Sequence, residues 1–526
     1  MRLPVITKLL ERRARAKLRA INKGYKKLSH DKKLDFPVQL MDVLSSTKLS
    51  DSDLPIQFLC KDDFNIELSV RQYLGSKFVP ELNKAILYSI GSNTPLVYPL
   101  PKKWRDTLIT QGVDISHFKS DLSWRYQGFR SWAKGVLYGL KSFYFLFSNT
   151  PDLKKYVYFD NMNINCLSKD INKKNIINWY LQYPDKVKDI DTIAHSVKNQ
   201  PDFNLNTIKI VYIDGLPNIN GMKLVQYGVF AIYASIFSAL CFIFKPTYGF
   251  FLEDILKLKR FDLANNDDLA KDYLFNTTGG LYRPIWTYIA EKKGARLLFY
   301  FYSTNNEFFK TEAGYPIQHP WHLLNWPYYL VWDNYQADFI SRHNKHNPKI
   351  EEVGQIWFSS IGESTPIPEN SIAVFDSTTF RPVMHAINGV WMEYRTYKNA
   401  SNFLDDIQSV LGEKNISMVH KNKRSNSALH KKYIRKIKTL NQESNYIEIN
   451  PDYDALSVIQ KTKACISMPF TSTAVLAKEE GRPSVYYDPT DIIQKNDRAA
   501  HGIPILNGIG ELKVWIESIK NNIDYE

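Results

Sequence analysis

The strongest constraint on the fold of this chain is a rhythm of short apolar runs separated by stretches of helical spacing. One set comprises YVYF at 156–159, IKIVYI at 208–213, RLLFYFY at 296–302 and YYLVW at 328–332; a second comprises SIAVFD at 371–376, ISMVH at 416–420, YIEI at 446–449, ACISM at 464–468 and SVYY at 484–487. Runs this short, rich in β-branched and aromatic residues, read as strands covered on both faces, and helices between them make βαβ units and a parallel sheet. Helical spacing recurs at 124–147, around 176–181, and at 400–411, 433–440, 454–462 and 474–480. A chain of 526 residues exceeds what one core supports. The expectation is an α/β protein with two doubly wound, Rossmann-like halves facing across a cleft.

Punctuation sets the expected boundaries. Pro348, Gly354, Gly362, Pro366 and Pro368 make 336–368 read as the connection between halves. The domains expected are therefore a basic helical extension at 1–90, an N-terminal half at 91–345 and a C-terminal half at 346–526. Residues 34–90 are mixed and mostly helical in pattern. A strand-turn-helix unit is expected from Pro95, where LVYPLP is extended and Pro101 opens a helix with Trp104, Leu108 and Ile109 on its apolar side.

Charge is unevenly placed. Residues 1–33 hold twelve Lys or Arg against Glu11 and Asp31, a local excess of +10 within a total of +14. Ile6, Leu9, Leu10, Ala14, Leu18 and Ile21 recur there at helical spacing, so the arm reads as a basic amphipathic helix. Such a helix either anchors on an anionic membrane surface or docks its stripe on its own domain. No apolar segment with a small-residue cleavage site follows, so a secretory signal is not expected. YGVFAIYASIFSALCFIF at 227–244 carries no charge; short for a span and interrupted by Ala and Ser, it reads as a helix buried in the domain or docked on a membrane. Cys60, Cys166, Cys241 and Cys465 are scattered without a CxxC pair, which fits a reducing compartment and suggests neither a disulfide framework nor a zinc site.

In parallel sheets ligands bind outside the carboxyl ends of strands. In the first half that rule selects Asp160 and Asn161, Asp214 and Gly215, residues 303–306, and Asp333. In the second it selects residues 376–381, residues 420–424, Pro451 with Asp452, and the turn Pro469, Phe470, Thr471, Ser472, Thr473. This hydroxyl-rich turn leads from a strand into a helix, so backbone N–H groups, hydroxyls and the positive helix end converge as a phosphate requires, although Ser and Thr also cap ordinary helices. Residues 414–442 add nine Lys or Arg and two His with no acid, and fixed donors beside positive charge suit a nucleotide phosphate or an acidic sugar.

Other chemistries find less support. The basic run at 431–438 has little aromatic interleaving, so nucleic acid is not an expected partner, and neither a GxGxxG fingerprint after a strand nor a P-loop pattern is present. Gly279 and Gly280 in FNTTGGLYRP suit either a backbone approach to a ligand or a plain loop. His319 and His322 have metal-ligand spacing, but Pro320 argues against a helix there and no fuller ligand set accompanies them, so no metal is expected. For general-base work on a sugar hydroxyl the candidates are Asp214, Glu253, Asp254 and Asp333, which the sequence does not rank.

The stretch MPFTSTAVLAKEEGRPSVYYDP resembles the signature of bacterial surface-polysaccharide biosynthesis proteins named for a Pro-Phe-Thr-Ser motif, matched letter for letter by Pro469, Phe470, Thr471 and Ser472. The resemblance covers about the last 160 residues, with NTTGGLYRP and YYLVWDNYQADFI also similar upstream. It implies a GT-B glycosyltransferase with the donor nucleotide on the C-terminal half and the acceptor on the N-terminal half. The chain is also similar to sialyl-, pseudaminyl- and Kdo-transferases, in which a His-Pro strand end and a Ser/Thr pair contact the CMP of the donor. Ser472 and Thr473 match that pair and His420 the His, while Lys421 stands in place of the Pro. The acidic-acidic-Gly motif that supplies a base in those enzymes reads Ile213-Asp214-Gly215 here.

These resemblances imply a metal-independent transferase with no cofactor beyond its CMP-sugar donor substrate. It would move a nonulosonic acid or Kdo onto a capsular or lipid-linked surface glycan, in the cytoplasm and peripheral to the inner face of the membrane. Strand-end position, charge and resemblance together give the expected donor contacts as Arg381, His420, Lys421, Lys423, Pro469, Thr471, Ser472 and Thr473, with Asp214, Glu253 or Asp333 as base. A UDP- or GDP-sugar transferase, or a non-catalytic polysaccharide-assembly partner with a GT-B shell, are the alternatives.

Overall fold

The structure is a computed structural model describing residues 4–28, 66–147, 153–170, 175–276, 280, 282–310, 312, 314–315, 319–356, 366–380, 383–384, 394–423, 429–451 and 453–523. Cys60, Gly279, Arg381, Arg424 and Asp452 lie outside them, as do the side chains of Ile6, Leu9 and Leu10.

The first half opens with helices α1 (Pro4–Lys27), α2 (Ile66–Ser92), α3 (Lys102–Thr110) and α4 (His117–Phe147), followed by β1 (Tyr156–Phe159), α5 (Ile176–Gln182), β2 (Thr192–His195), β3 (Phe203–Leu205) and β4 (Ile208–Tyr212). It continues through α6 (Gly221–Phe242), α7 (Thr247–Leu263), β5 (Asp272–Asn276), α8 (Trp286–Lys292), β6 (Arg296–Tyr300), α9 (His319–His322), β7 (Tyr328–Val331), α10 (Asn334–His343) and β8 (Lys349–Glu352). The sheet order is β3-β4-β2-β1-β5-β6-β7-β8, parallel except where β3 meets β4. From the central pair β1 and β5 the chain grows outward in both directions, so a topological switch point lies between them.

The second half comprises β9 (Ser371–Phe375), α11 (Tyr397–Glu413), β10 (Ser417–Lys421), α12 (Lys431–Leu440), β11 (Tyr446–Ile449), α13 (Ala455–Gln460), β12 (Ala464–Ser467), α14 (Ser472–Glu479), β13 (Ser484–Asp488), β14 (Ile505–Asn507) and α15 (Gly508–Ile523). Its strands are parallel throughout in the order β11-β10-β9-β12-β13-β14. That is the doubly wound order of a Rossmann fold, with its switch point between β9 and β12. The apolar runs become central strands buried along their whole lengths, β1, β7, β9 and β12 among them. The expected arrangement of two doubly wound sheets is the one observed.

Three local expectations change. The stretch 336–368 is not a simple connection: it contains most of α10 and all of β8, which pairs with β7, so the first sheet extends past residue 345. LVYPLP adds no strand to the sheet and makes only an isolated bridge, Leu96 to Ile115, because Pro95, Pro99 and Pro101 have no N–H to offer a ladder. HPWH does form one helical turn, α9, since Pro320 sits near its start, where the missing N–H is not needed.

The basic helix α1 docks on α2 at a glycine crossing. A Cβ on Gly24 would lie 1.9 Å from the Leu87 carbonyl oxygen, and one on Gly91 would lie 1.7 Å from that of Ala20. Ile21, from the apolar stripe, is buried there with Leu87 and Val383. At this end the stripe packs on its own domain.

Candidate functional site

At the second switch point, β12 ends at Ser467 and the Pro-Phe-Thr-Ser turn leads into α14. Phe470 takes a left-handed conformation (φ +64°) and is buried, its ring edge-on to Tyr486 and 4.9 Å from Phe309 of the other half. Pro469 is likewise buried. The Thr471 hydroxyl donates to the Met468 carbonyl at 3.0 Å, and Thr473 Oγ1 lies 3.0 Å from Ser467 Oγ. Although Thr471 stands at the N-cap, no side chain caps α14, so the first turn keeps its capacity to meet an anion.

Ser472 crosses the cleft. Its hydroxyl accepts the Thr304 N–H at 3.0 Å and donates to Asn305 Oδ1 at 2.5 Å. Nearby, His501 Nδ1 is 2.7 Å from Asp333 Oδ2, and Asp497 accepts from Lys310 N and Tyr315 OH. Thr304, Asn305 and Asp333 follow β6 and β7, whereas Ser472 follows β12, so the carboxyl edges of the two sheets face each other.

The other expected donor residues are less accessible than the motif comparison implies. His420 is fully buried, with Nδ1 2.7 Å from Tyr446 OH and Nε2 3.3 Å from Asp376 Oδ2, out of hydrogen-bond alignment with it. Asp376 also accepts from Tyr433. His420 therefore braces the ends of β9, β10 and β11 from within and presents no surface to a nucleotide. Lys421 is mostly buried and donates to the Pro451 carbonyl at 2.9 Å; Lys423 is exposed. The basic run forms α12, which turns Tyr433, Ile437 and Leu440 inward and sends Lys436 to Asp405.

The first half offers a pocket of about 450 Å³ at the carboxyl ends of β1 and β4, walled also by α2, α4 and α7. Three of the four expected acids meet there, Asp214, Glu253 and Asp254, joined by Asp160 and opposed by Lys77, Lys134 and Lys257. Lys257 Nζ lies 2.7 Å from Glu253 Oε1 and 4.0 Å from Asp254 Oδ1. Tyr282 donates to Asp254 Oδ2 at 2.7 Å. Asp214 is more than half exposed, accepts from Leu216 N at 3.1 Å and lies 3.9 Å from Arg260 Nη1. Gly215 is required beside it: φ is +79°, and a Cβ would come within 2.6 Å of the Tyr158 ring.

Burial and charge perturb several groups of this pocket. Burial raises the Asp160 carboxyl to about 6 and also raises Asp254. It lowers Lys77 to about 8, with Lys134 adding repulsion. Burial also opposes the charge of Lys257, but Asp254 and Glu253 outweigh it and raise that pKa. Asp160 follows the last residue of β1 at the switch point, and Tyr158 OH approaches its Oδ1 at 3.5 Å. A carboxyl raised by burial to about 6 is suited to take a proton from a hydroxyl.

Asp333 is not in this pocket. It caps α10 through Gln336 N and holds His501, so it is occupied structurally. Asp160 stands outside the four base candidates Asp214, Glu253, Asp254 and Asp333, although the strand-end rule selects it. Gly280 makes its close approach to Phe299, 2.2 Å from a Cβ placed there, so protein rather than ligand explains that glycine. His322 Nε2 lies 3.3 Å from His343 Nδ1.

A model of the family described as "Polysaccharide biosynthesis PFTS motif protein" matches residues 229–516. Comparison with curated proteins gives no match. Among solved structures the chain is similar to a variant of the wall teichoic acid polymerase TagF, with a TM-score of 0.38 and 9% identity over 76% of this chain and 90% of that one. It is similar also to sucrose-phosphate synthase from Thermosynechococcus elongatus, with a TM-score of 0.36 and 8% identity over 70% of this chain and 90% of that one. A third is a UDP-GlcNAc 2-epimerase from Methanocaldococcus jannaschii, with a TM-score of 0.32 and 12% identity over 70% of this chain and 92% of that one.

Proposed function

The chain belongs to the family of polysaccharide biosynthesis PFTS motif proteins, and from that premise we propose that it is a glycosyltransferase moving an acidic sugar of the nonulosonic or Kdo type from CMP to a capsular or lipid-linked glycan. One juxtaposition carries this reading. The family's motif sits at the switch point of one sheet, where a helix N-terminus meets hydroxyls, and the switch point of the facing sheet carries a pocket with a carboxyl tuned to about 6.

In this scheme the donor phosphate rests on the first turn of α14 with the Ser472 and Thr473 hydroxyls. The acceptor hydroxyl enters the pocket and gives its proton to Asp160. Its oxygen bonds to the anomeric carbon while the bond from that carbon to the phosphate oxygen breaks, and CMP leaves with the electron pair. The prearranged N–H and O–H donors take up the charge that develops on the phosphate. No metal or further cofactor is invoked. Lys423, exposed beyond β10, adds positive charge near the donor, whereas His420 and Lys421 act by holding the strand ends in place. The reading sets the enzyme at the cytoplasmic face of the membrane, with the basic residues of 1–33 attracted to anionic lipid.

Thermal unfolding of the full chain with CMP, UDP and GDP tests the donor. CMP is expected to raise the midpoint most. Stabilisation by UDP or GDP alone would reassign the donor, and indifference to all three would favour a non-catalytic assembly role.

A further inference from the structure

Helices α4 and α6 share an apolar surface that no described part of the chain covers. On α4, Phe118, Leu122, Phe129, Leu137 and Leu140 are between 51% and 80% exposed. On α6, Val225, Val229, Ile232, Ile236 and Leu240 are between 57% and 65% exposed. Both sets recur at helical spacing, so each is one continuous stripe. The opposite side of α6 is sealed by Leu224, Tyr227, Ala234 and Ser238.

The two helices run antiparallel and are fastened along their length. Trp132 Nε1 donates to the Ser235 carbonyl at 3.1 Å, Arg125 donates to that of Ile243 at 3.0 Å, and the Phe143 ring lies 2.9 Å from a Cβ placed on Gly228. A helix held this way lies beside its neighbour and does not cross a bilayer alone, although Gly221–Phe242 is long and apolar enough to do so.

Charge identifies the occupant. The exposed positions that flank the α4 stripe are basic, namely Lys119, Arg125, Arg130, Lys134 and Lys141, and the helix's one acid, Asp121, is engaged by Arg105 and Arg125. Exposed Lys245 follows α6, whose own charged residue is Lys223. An apolar strip with a positive rim complements an apolar interior beneath anionic headgroups, whereas two copies placed face to face would oppose like charges. We propose that α4 and α6 form an in-plane docking face for an anionic lipid bilayer, distinct from the N-terminal basic arm. The docking face itself does not depend on the transferase reading.

Flotation of the full chain with vesicles of phosphatidylcholine, with and without phosphatidylglycerol, tests it. The wild-type chain is expected to float with the anionic vesicles, less so as salt is raised. A variant combining Leu140→Glu and Ile232→Glu removes no buried side chain and is expected to lose bound fraction at least about tenfold, with circular dichroism, thermal unfolding and nucleotide-induced stabilisation unchanged. Equal flotation of the variant, or no flotation of the wild type, overturns the proposal. So does a concentration-dependent dimer, seen by light scattering without lipid, that the two substitutions abolish, since it would assign the face to a second copy.

Discussion

At the switch point of the C-terminal sheet the polar side chains are already paired: His420 with Tyr446, Asp376 with Tyr433, Thr473 with Ser467, and Ser472 with Thr304 and Asn305. At that of the N-terminal sheet four carboxylates and three lysines crowd an open pocket, and burial lifts Asp160 to about 6. The first arrangement holds its hydroxyls and imidazole in a preset geometry through contacts within and across the halves. The second stores an unfavourable ionisation that a reaction can use. The contrast is between a fixed polar network in one half and a cluster of perturbed titratable groups in the other.

The largest expected effect tests that division directly. Asp160→Asn should lower turnover about a hundred- to ten-thousand-fold while nucleotide-induced stabilisation persists; near-normal turnover in a transfer assay would remove Asp160 as base. Next comes the bridge between the regions. His501→Ala deprives Asp333 of a partner bound to a carboxylate, and the expected loss is about 2 kcal/mol of unfolding free energy. A larger radius of gyration by solution scattering should accompany it, and an unchanged radius would show that the pair does not hold the halves together.

The pH dependence of stability gives a smaller effect. The Asp160 carboxyl rises from 3.8 to about 6 on folding, so the folded state holds the proton more tightly than the unfolded chain. This site therefore costs stability as pH rises through that interval, and the cost is complete above it. After allowance for the pocket's access to water, Asp160→Asn should be about 1–2 kcal/mol more stable than wild type near neutral pH and equal to it near pH 4. Denaturant titrations at the two pH values measure this, and an equal difference at both would mean that the carboxyl is not perturbed. Smallest is Ser472→Ala, expected to weaken nucleotide binding about fivefold through one lost hydrogen bond; calorimetry showing unchanged affinity would take the phosphate off this turn.

Much of this fold is legible in the sequence because its central strands are apolar on both faces, and YVYF and YIEI become β1 and β11 with the expected bounds. Two strands that escape the pattern, β5 and β2, carry polar residues buried within the sheet. Asp272 opens β5 yet is fully buried, because Arg296 from β6 and Tyr180 from α5 bond to its carboxylate. Thr192–His195 is short and ends in a histidine that is itself buried. At the site, the strand-end rule finds the pocket because position along a strand is a property of the chain. Which acid burial perturbs is a property of what packs around it, so Asp160 could not be separated from its neighbours. The motif match likewise locates Ser472 but places His420 at a surface it does not reach, since Tyr446 and Asp376 enclose it from adjacent strands.

The Ser472 hydroxyl carries a single proton, and Asn305 accepts it across the cleft. On the proposed reading, a donor phosphate that takes this proton must displace Asn305, so the ligand and the facing half compete for one atom. Linkage then requires reciprocity: whatever factor the Asn305 contact subtracts from donor affinity, the donor subtracts from the stability of that contact. If the donor binds there, occupancy of the motif is coupled to this one contact, which stands beside His501 with Asp333 and Asp497 with Lys310 in joining the two halves.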